Sequence, residues 1–290
     1  MPISNLELNQ NHLSRTGVFS PASQPAPYNT LYFNLGSQSL IGKKVAIQKA
    51  NVFRSWPTIS SKNNTFLISF PTGSSGYTDV SVSIPLNKNF ETIDELDNYL
   101  KTVMIANNMY LINSTTGDYL YWMSFVANPS DYGVSLIQTL VPTSLPSGYT
   151  APSGFIGYPT VSRTMKFTTT TSEFNLIIGY AASTTFNGNT TATTFNSTFC
   201  PQLNPVSSAR INLNIANNPL ALNNDSTIIY TFTAKDTAWG QLITIEPNNL
   251  VFYNITTNSN TLVLSFNDQN GNPLNIRDPQ ISVLLLINDE

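Results

Sequence analysis

TLVLSFNDQNGNPLNIRDPQISVLLLINDE, residues 261–290, carries the pattern on which the fold assignment turns. Leu262, Leu264 and Phe266 recur at every second position, the period that places alternate side chains on one face of a strand. Asn270-Gly271 accepts the positive φ angles of tight turns, here inside a loop longer than two residues. The stretch then reaches Ile281, Val283, Leu284, Leu285, Leu286 and Ile287, several of them consecutive. A strand of that kind needs cover on both faces, so it is expected near the middle of a sheet or against a partner subunit.

The same period recurs outward from this stretch, in Ile211, Leu213 and Ile215 and in Val80, Val82, Ile84 and Leu86, with turn residues between the runs. One segment departs from it. Phe90, Ile93, Leu96, Leu100, Val103 and Met104 follow three- and four-residue spacing, and Thr92 with Glu95 has the form of a capping box, so a helix of about 14 residues is expected there. Residues 142–205 hold Pro142, Pro146, Gly148, Pro152, Gly154, Gly157 and Pro159, followed by a Thr- and Asn-rich run, and read as an insertion or loop-rich subdomain. Residues 1–27, with Pro21, Pro25 and Pro27, read as an extended N-terminal arm before a domain at 28–290. Eight or more strands with one short crossover helix and an elaborated loop region predict an all-β chain, a single jelly-roll sandwich.

Composition narrows the function. Only 10% of the 290 residues are charged, against about 25% in an ordinary soluble domain, while 41% are hydrophobic. The chain should therefore fold, and little charge repulsion opposes the packing of identical copies. Arg15, Lys43, Lys44, Lys49, Arg54 and Lys62 face the single acid Glu7 within the first 78 residues, although the whole chain has a net charge of −3. These cations are dispersed and lack interleaved aromatics, so specific nucleic-acid binding is not expected. The single cysteine, Cys200, excludes an internal disulfide and reads as a small buried hydrophobe. No membrane span and no secretory leader are expected, and the sequons at Asn63, Asn113, Asn189, Asn196, Asn224 and Asn254 follow from the abundance of Asn and Thr.

Catalytic chemistry finds little footing. The only histidine, His12, falls in the expected arm, which disfavours Ser-His-Asp and Cys-His sites, and one histidine with one cysteine cannot build a zinc site. Asp268, Asn270 and Gly271 superficially resemble a calcium loop, but the glycine comes too early and no glutamate follows at the twelfth position. Gly73-Ser74-Ser75-Gly76 and Gly154-Phe155-Ile156-Gly157 lack the residues that complete phosphate-binding loops. Asp94, Glu95 and Asp97 cluster at a helix start, where capping and dipole roles account for them. Tyr119, Tyr121 and Trp122, or Trp56 and Trp239, could make a carbohydrate platform, with core and interface packing the competing reading. The expectation is a non-enzyme with no catalytic, cofactor-binding or metal residues and no cofactors.

Four segments carry a family resemblance: residues 264–290 at the C-terminal end, CPQLNPVSSARINLNIANN at 200–218, FETIDELDNYLKTVMIANNMYLI at 90–112 and LIGKKVAIQKANVFRSWPTIS at 40–60. In these the chain resembles the penton, or minor capsid, proteins of virophages and polinton-like double-stranded DNA viruses. The resemblance implies that residues 40–60 form the first long barrel strand, closed by Trp56-Pro57. It also implies a single jelly roll forming homopentamers at the five-fold vertices of an icosahedral capsid, beside a double jelly-roll major capsid protein. The chain would be made in the host cytoplasm and reside in the virion. The alternative is a viral attachment or carbohydrate-binding jelly-roll module, with recognition in residues 142–199.

Overall fold

The computed structural model describes residues 3–9, 28–35, 39–181, 184–218, 227–234 and 237–288, the first group as backbone only. The chain forms two compact units, one built from residues 1–56 together with 206–290 and the other from 57–205. In chain order the first strands are β1 (Ile3–Asn9), β2 (Thr30–Asn34), β3 (Lys44–Phe53), β4 (Thr65–Thr72) and β5 (Gly76–Ser83), followed by helix α1 (Ile93–Ala106). Next come β6 (Leu111–Asn113), β7 (Tyr119–Leu120), β8 (Met123–Asn128), β9 (Gly133–Gln138), β10 (Leu140–Val141), β11 (Tyr149–Thr150), β12 (Arg163–Thr164) and β13 (Lys166–Thr169). Helix α2 (Ser172–Ile177) leads to β14 (Thr193–Asn196), β15 (Ala209–Leu213), β16 (Ala216–Asn217) and β17 (Ile228–Phe232). The last are β18 (Leu242–Ile245), β19 (Tyr253–Ile255), β20 (Thr261–Asp268) and β21 (Ser282–Asn288).

The first unit is two antiparallel sheets. One has the order β1-β21-β3-β19-β16, with β18 also on β3, and the other the order β17-β15-β20-β2. Strands β18 and β19 pair with opposite ends of β3 and act as one interrupted strand. Lettered B to I along the unit, the eight strands then stand as B-I-D-G and C-H-E-F. That order is the jelly roll, in which consecutive strands cross between facing sheets except for the hairpin of β15 and β17. Val45, Ile47, Val283 and Leu285 from one sheet meet Ile211, Leu213, Leu264 and Phe266 from the other in one buried core. Burying each such side chain contributes roughly 1.5–3 kcal/mol.

Strand β21 lies between β1 and β3, as its run of apolar residues requires. The register on β3 slips between Leu284 and Leu285, where Lys49 and then Ile47 are the partners and Gln48 is left over. A residue bulged out in this way inverts the alternation: Val45 and Ile47 face the core before Gln48, and Ala50 and Val52 after it.

Several expectations are corrected. The expected arm contributes a strand of the jelly roll, because β1 pairs in register with β21 from Ile3↔Asn288 to Asn9↔Ser282. His12, Phe19 and Pro21 lie outside the described residues. Residues 44–53, third in chain order, form the first long strand of the barrel, at ten residues against seven and five for the strands before it. The region expected as an insertion at 142–205 belongs to a unit that begins at Pro57, in the connection between β3 and β15. A second helix, α2, is present; at six residues it is too short to show a helical period.

The second unit has its own core, rich in aromatics. Phe66, Phe70, Phe90, Trp122, Phe125, Phe167, Phe174 and Phe186 are all buried in it. Strands β13-β4-β5, β14-β9-β8 and β11-β6-β7 form three small sheets, with β10-β12 as a fourth pair. Edge-to-face contacts recur, such as Phe125 against Phe167 with ring centroids 5.4 Å apart, the geometry that ring quadrupoles favour. Helix α1 buries Ile93, Leu96, Leu100 and Met104.

Candidate functional site

The carboxylates grouped at the start of α1 act structurally. Thr92 Oγ1 accepts from the Glu95 backbone N–H at 3.2 Å, and the Glu95 carboxylate accepts from the N–H of Glu91 rather than of Thr92. Asp97 is buried and accepts from the Phe125 N–H at 2.8 Å and from Ser124 Oγ at 2.9 Å. Lys101, one turn on, lies 2.7 Å from its other oxygen. The carboxylate thus joins helix to strand β8, with its lone pairs taken up by donors.

The other candidates resolve in the same direction. Asp268 Oδ1 accepts from the backbone N–H groups of Asn270 and Asn272 at 2.8 and 2.9 Å. Gly271, at φ +83°, completes the turn, and the Gly271 N–H reaches the Asp268 carbonyl. Its geometry is that of an Asx turn. Gly73–Gly76 is the hairpin between β4 and β5. Among the described residues no group of three His, Cys, Asp or Glu side chains gathers to hold a metal. Cys200 is exposed rather than buried, since it sits in the connection between β14 and β15 and not on a strand. It shares a shallow depression with Leu176, Phe199, Pro201 and Leu203, a surface that sequence periodicity did not reveal.

The aromatic candidates divide. Trp122 and Trp56 are core residues, 2% and 4% exposed, and leave both proposed platforms. Tyr119 remains at the surface, with its ring 4.7 Å from Tyr110 and 6.3 Å from Tyr121. The Lys101 ammonium lies 5.7 Å from the Tyr121 ring centroid. Burial, with the neighbouring phenols and Asp97 as lesser causes, raises the Tyr121 pKa. Trp239 is half exposed.

Unit 1 offers surface of another kind. Trp239, Leu242, Leu250 and Val251 are exposed in and around β18 and β19. Among the described residues, β18 pairs only with β3 and β17 only with β15, so each presents an open edge. Residues Tyr230–Thr233 and Ile243–Glu246 of these strands line one shallow hollow. Open strand edges with apolar neighbours are surfaces on which further chain can pair. Lys49, one of the dispersed cations, is paired with Glu246 at 2.6 Å.

Among the solved structures similar to this chain is that of the mavirus penton protein. The likeness covers 99% of this chain and 98% of that one, with a TM-score of 0.46 and 12% sequence identity. No family model matches the chain, and no curated protein matches it significantly. The jelly-roll assignment rests on the strand order and register of the first unit.

Proposed function

We propose that this chain is a viral capsid structural protein, a penton or minor capsid subunit that forms homopentamers at icosahedral five-fold vertices. The observation that carries the reading is an eight-stranded jelly roll with open edges at β17 and β18, beside which Trp239, Leu242, Leu250 and Val251 are exposed. A fold of this kind serves capsids and lectins alike, and fold alone does not decide between them. The low charge favours contact between copies over solvation of a lone monomer. A ring needs heterologous contacts, one flank against the opposite flank of the next copy; the jelly roll has edges β1 and β2 at one end of its sheets and β17 and β18 towards the other.

On this reading the protein works in the virion after synthesis in the host cytoplasm, beside a double jelly-roll major capsid protein. On the same reading it has no catalytic, cofactor or metal site and no specific nucleic-acid partner, in keeping with the dispersed placement of its cations along the sequence. Native mass spectrometry tests the reading: a ring of five 31.9 kDa chains has a mass of about 160 kDa. A pentamer, seen also at the five-fold vertices of particles by electron microscopy, is expected. A stable trimer, or vertices without this protein, overturns it.

The tyrosine cluster supports a second reading, a carbohydrate-binding module, because exposed rings suit the apolar faces of sugars. Glycan-array binding that Tyr119→Ala abolishes, in a protein that is not pentameric, would favour it.

A further inference from the structure

Strand β1 is the outer strand of its sheet. All of its pairing is with β21, seven opposed residues from Ile3↔Asn288 to Asn9↔Ser282. Those bonds are the same whichever molecule supplies the strand, so the donor is chosen by reach and local concentration and not by the contact itself. Residues 10–29 separate β1 from β2. Strands β1 and β2 approach one another within the unit, and facing sheets lie about 10 Å apart, so a connection of about six residues would join them. The twenty present span up to about 65 Å when extended, and they include Pro21, Pro25 and Pro27, each of which withholds a backbone donor from any strand ladder. The chain therefore carries about three times the connection that pairing within one molecule requires.

Strand β1 completes the outer edge of β21 over seven residues. Leu285, Leu286 and Ile287 are buried in succession, so both faces of the strand are covered; its two edges are paired with β3 and β1, and an unpaired edge beside so apolar a strand would be an aggregation site. We infer that β1 is an exchanged strand: in the assembled protein, the β21 edge of one copy is completed by residues 3–9 of a second copy, which ties the ring together. The inference rests on the pentamer proposed above. The partner is a second copy of this chain, and its chemistry is a seven-residue β-augmentation. Exchange adds a physical link between copies without changing the number of backbone hydrogen bonds, so each link persists until a whole strand is peeled away.

A crosslink decides it. In a chain with Cys200→Ser, the opposed residues Asn9 and Ser282 are both changed to cysteine, and the purified native oligomer is treated with a short bismaleimide. On a denaturing gel, exchange gives covalent multimers up to the size of the ring, with most of the chain above monomer mass. Pairing within one molecule gives monomers closed by an internal link, detected by peptide mapping. A pentamer with only internal links overturns the exchange and leaves the penton reading intact. A protein that stays monomeric by native mass spectrometry, with internal links, overturns both. The absence of any link overturns the exchange, since β1 would then not lie on β21. A second chain, with residues 12–21 also removed, retains enough connection for internal pairing; it is expected to convert covalent multimers to internally linked monomers, and unchanged multimers would overturn the role given to the connection.

Discussion

Gly179 shows how tightly the second unit is specified at the level of one residue. Its φ is +80°, and a Cβ there would meet the Phe199 carbonyl oxygen, a backbone atom that cannot swing aside. Its own carbonyl accepts from the N–H groups of Thr198 and Phe199, so the approach is also the bond. Gly179→Ala is expected to cost about 2–4 kcal/mol and lower the melting temperature by about 5–15 °C, whereas Gly73→Ala, with positive φ but open space around it, costs about 1 kcal/mol. Thermal melts of the two variants, side by side, check the difference. Tyr180 is a pH probe in the same unit. Its hydroxyl accepts from the Leu136 N–H and lies 2.6 Å from the Phe195 carbonyl, and burial pushes its pKa up to about 12 from 10.0. A raised pKa means that the folded protein holds the phenolic proton more tightly than the unfolded chain, so this stabilisation is complete below pH 10 and is lost as pH rises towards 12. Alkaline denaturation curves should be steeper in that window for the native protein than for Tyr180→Phe; equal slopes would contradict the assignment. At Asp97, removal of the carboxylate leaves the buried Phe125 N–H unpaired. Asp97→Ala is expected to cost about 1–3 kcal/mol and Asp97→Asn less, because the amide oxygen still accepts.

Elements show what sequence could and could not reveal. Alternation identified β20 and β15, and a run of consecutive apolar residues placed β21 inside a sheet, because both patterns are local records of which faces are covered. Strand β3 is harder to read: the Gln48 bulge inverts its alternation midway, and only the pairing with β21 shows where. Strand β1 escaped altogether. ISNLELN holds three Asn or Ser residues and precedes a proline-containing stretch, and what makes it a strand is an open edge more than two hundred residues later in the chain. The surface around Phe199 and Cys200 was equally invisible, since exposure there is set by tertiary packing, and of the neighbours in the segment between β7 and β8 Trp122 is fully buried while Tyr121 is only partly so. The dependence of β21 on β1 is open to test. Deleting residues 1–9 removes the outer strand and bares the β21 edge, so the truncated protein should melt at lower temperature and scatter light increasingly with concentration. A truncated protein as stable and as monodisperse as the full chain would mean that β1 contributes nothing to the sheet.

At the scale of the whole molecule, the second unit occupies the connection between β3 and β15, with a core whose buried side chains are distinct from those of the jelly roll. The two units therefore differ in what they need from the chain. The jelly roll is assembled from both ends of the sequence, residues 1–56 and 206–290, while 57–205 is continuous. A continuous segment of this length, with Trp122, Phe66, Phe70 and Phe167 fully buried, falls in the size range of an autonomous domain. Residues 57–205 expressed alone are expected to fold, with a near-ultraviolet circular dichroism spectrum from the fixed aromatic rings and a cooperative thermal transition. The full chain should then melt in two steps, one of which coincides with that of the fragment, because separate cores need not share one transition. Gly179→Ala sharpens the test, since it should shift only the step assigned to 57–205. A fragment without fixed aromatic signals, or a full chain in which Gly179→Ala moves a single transition as a whole, would show that the two cores fold as one cooperative body.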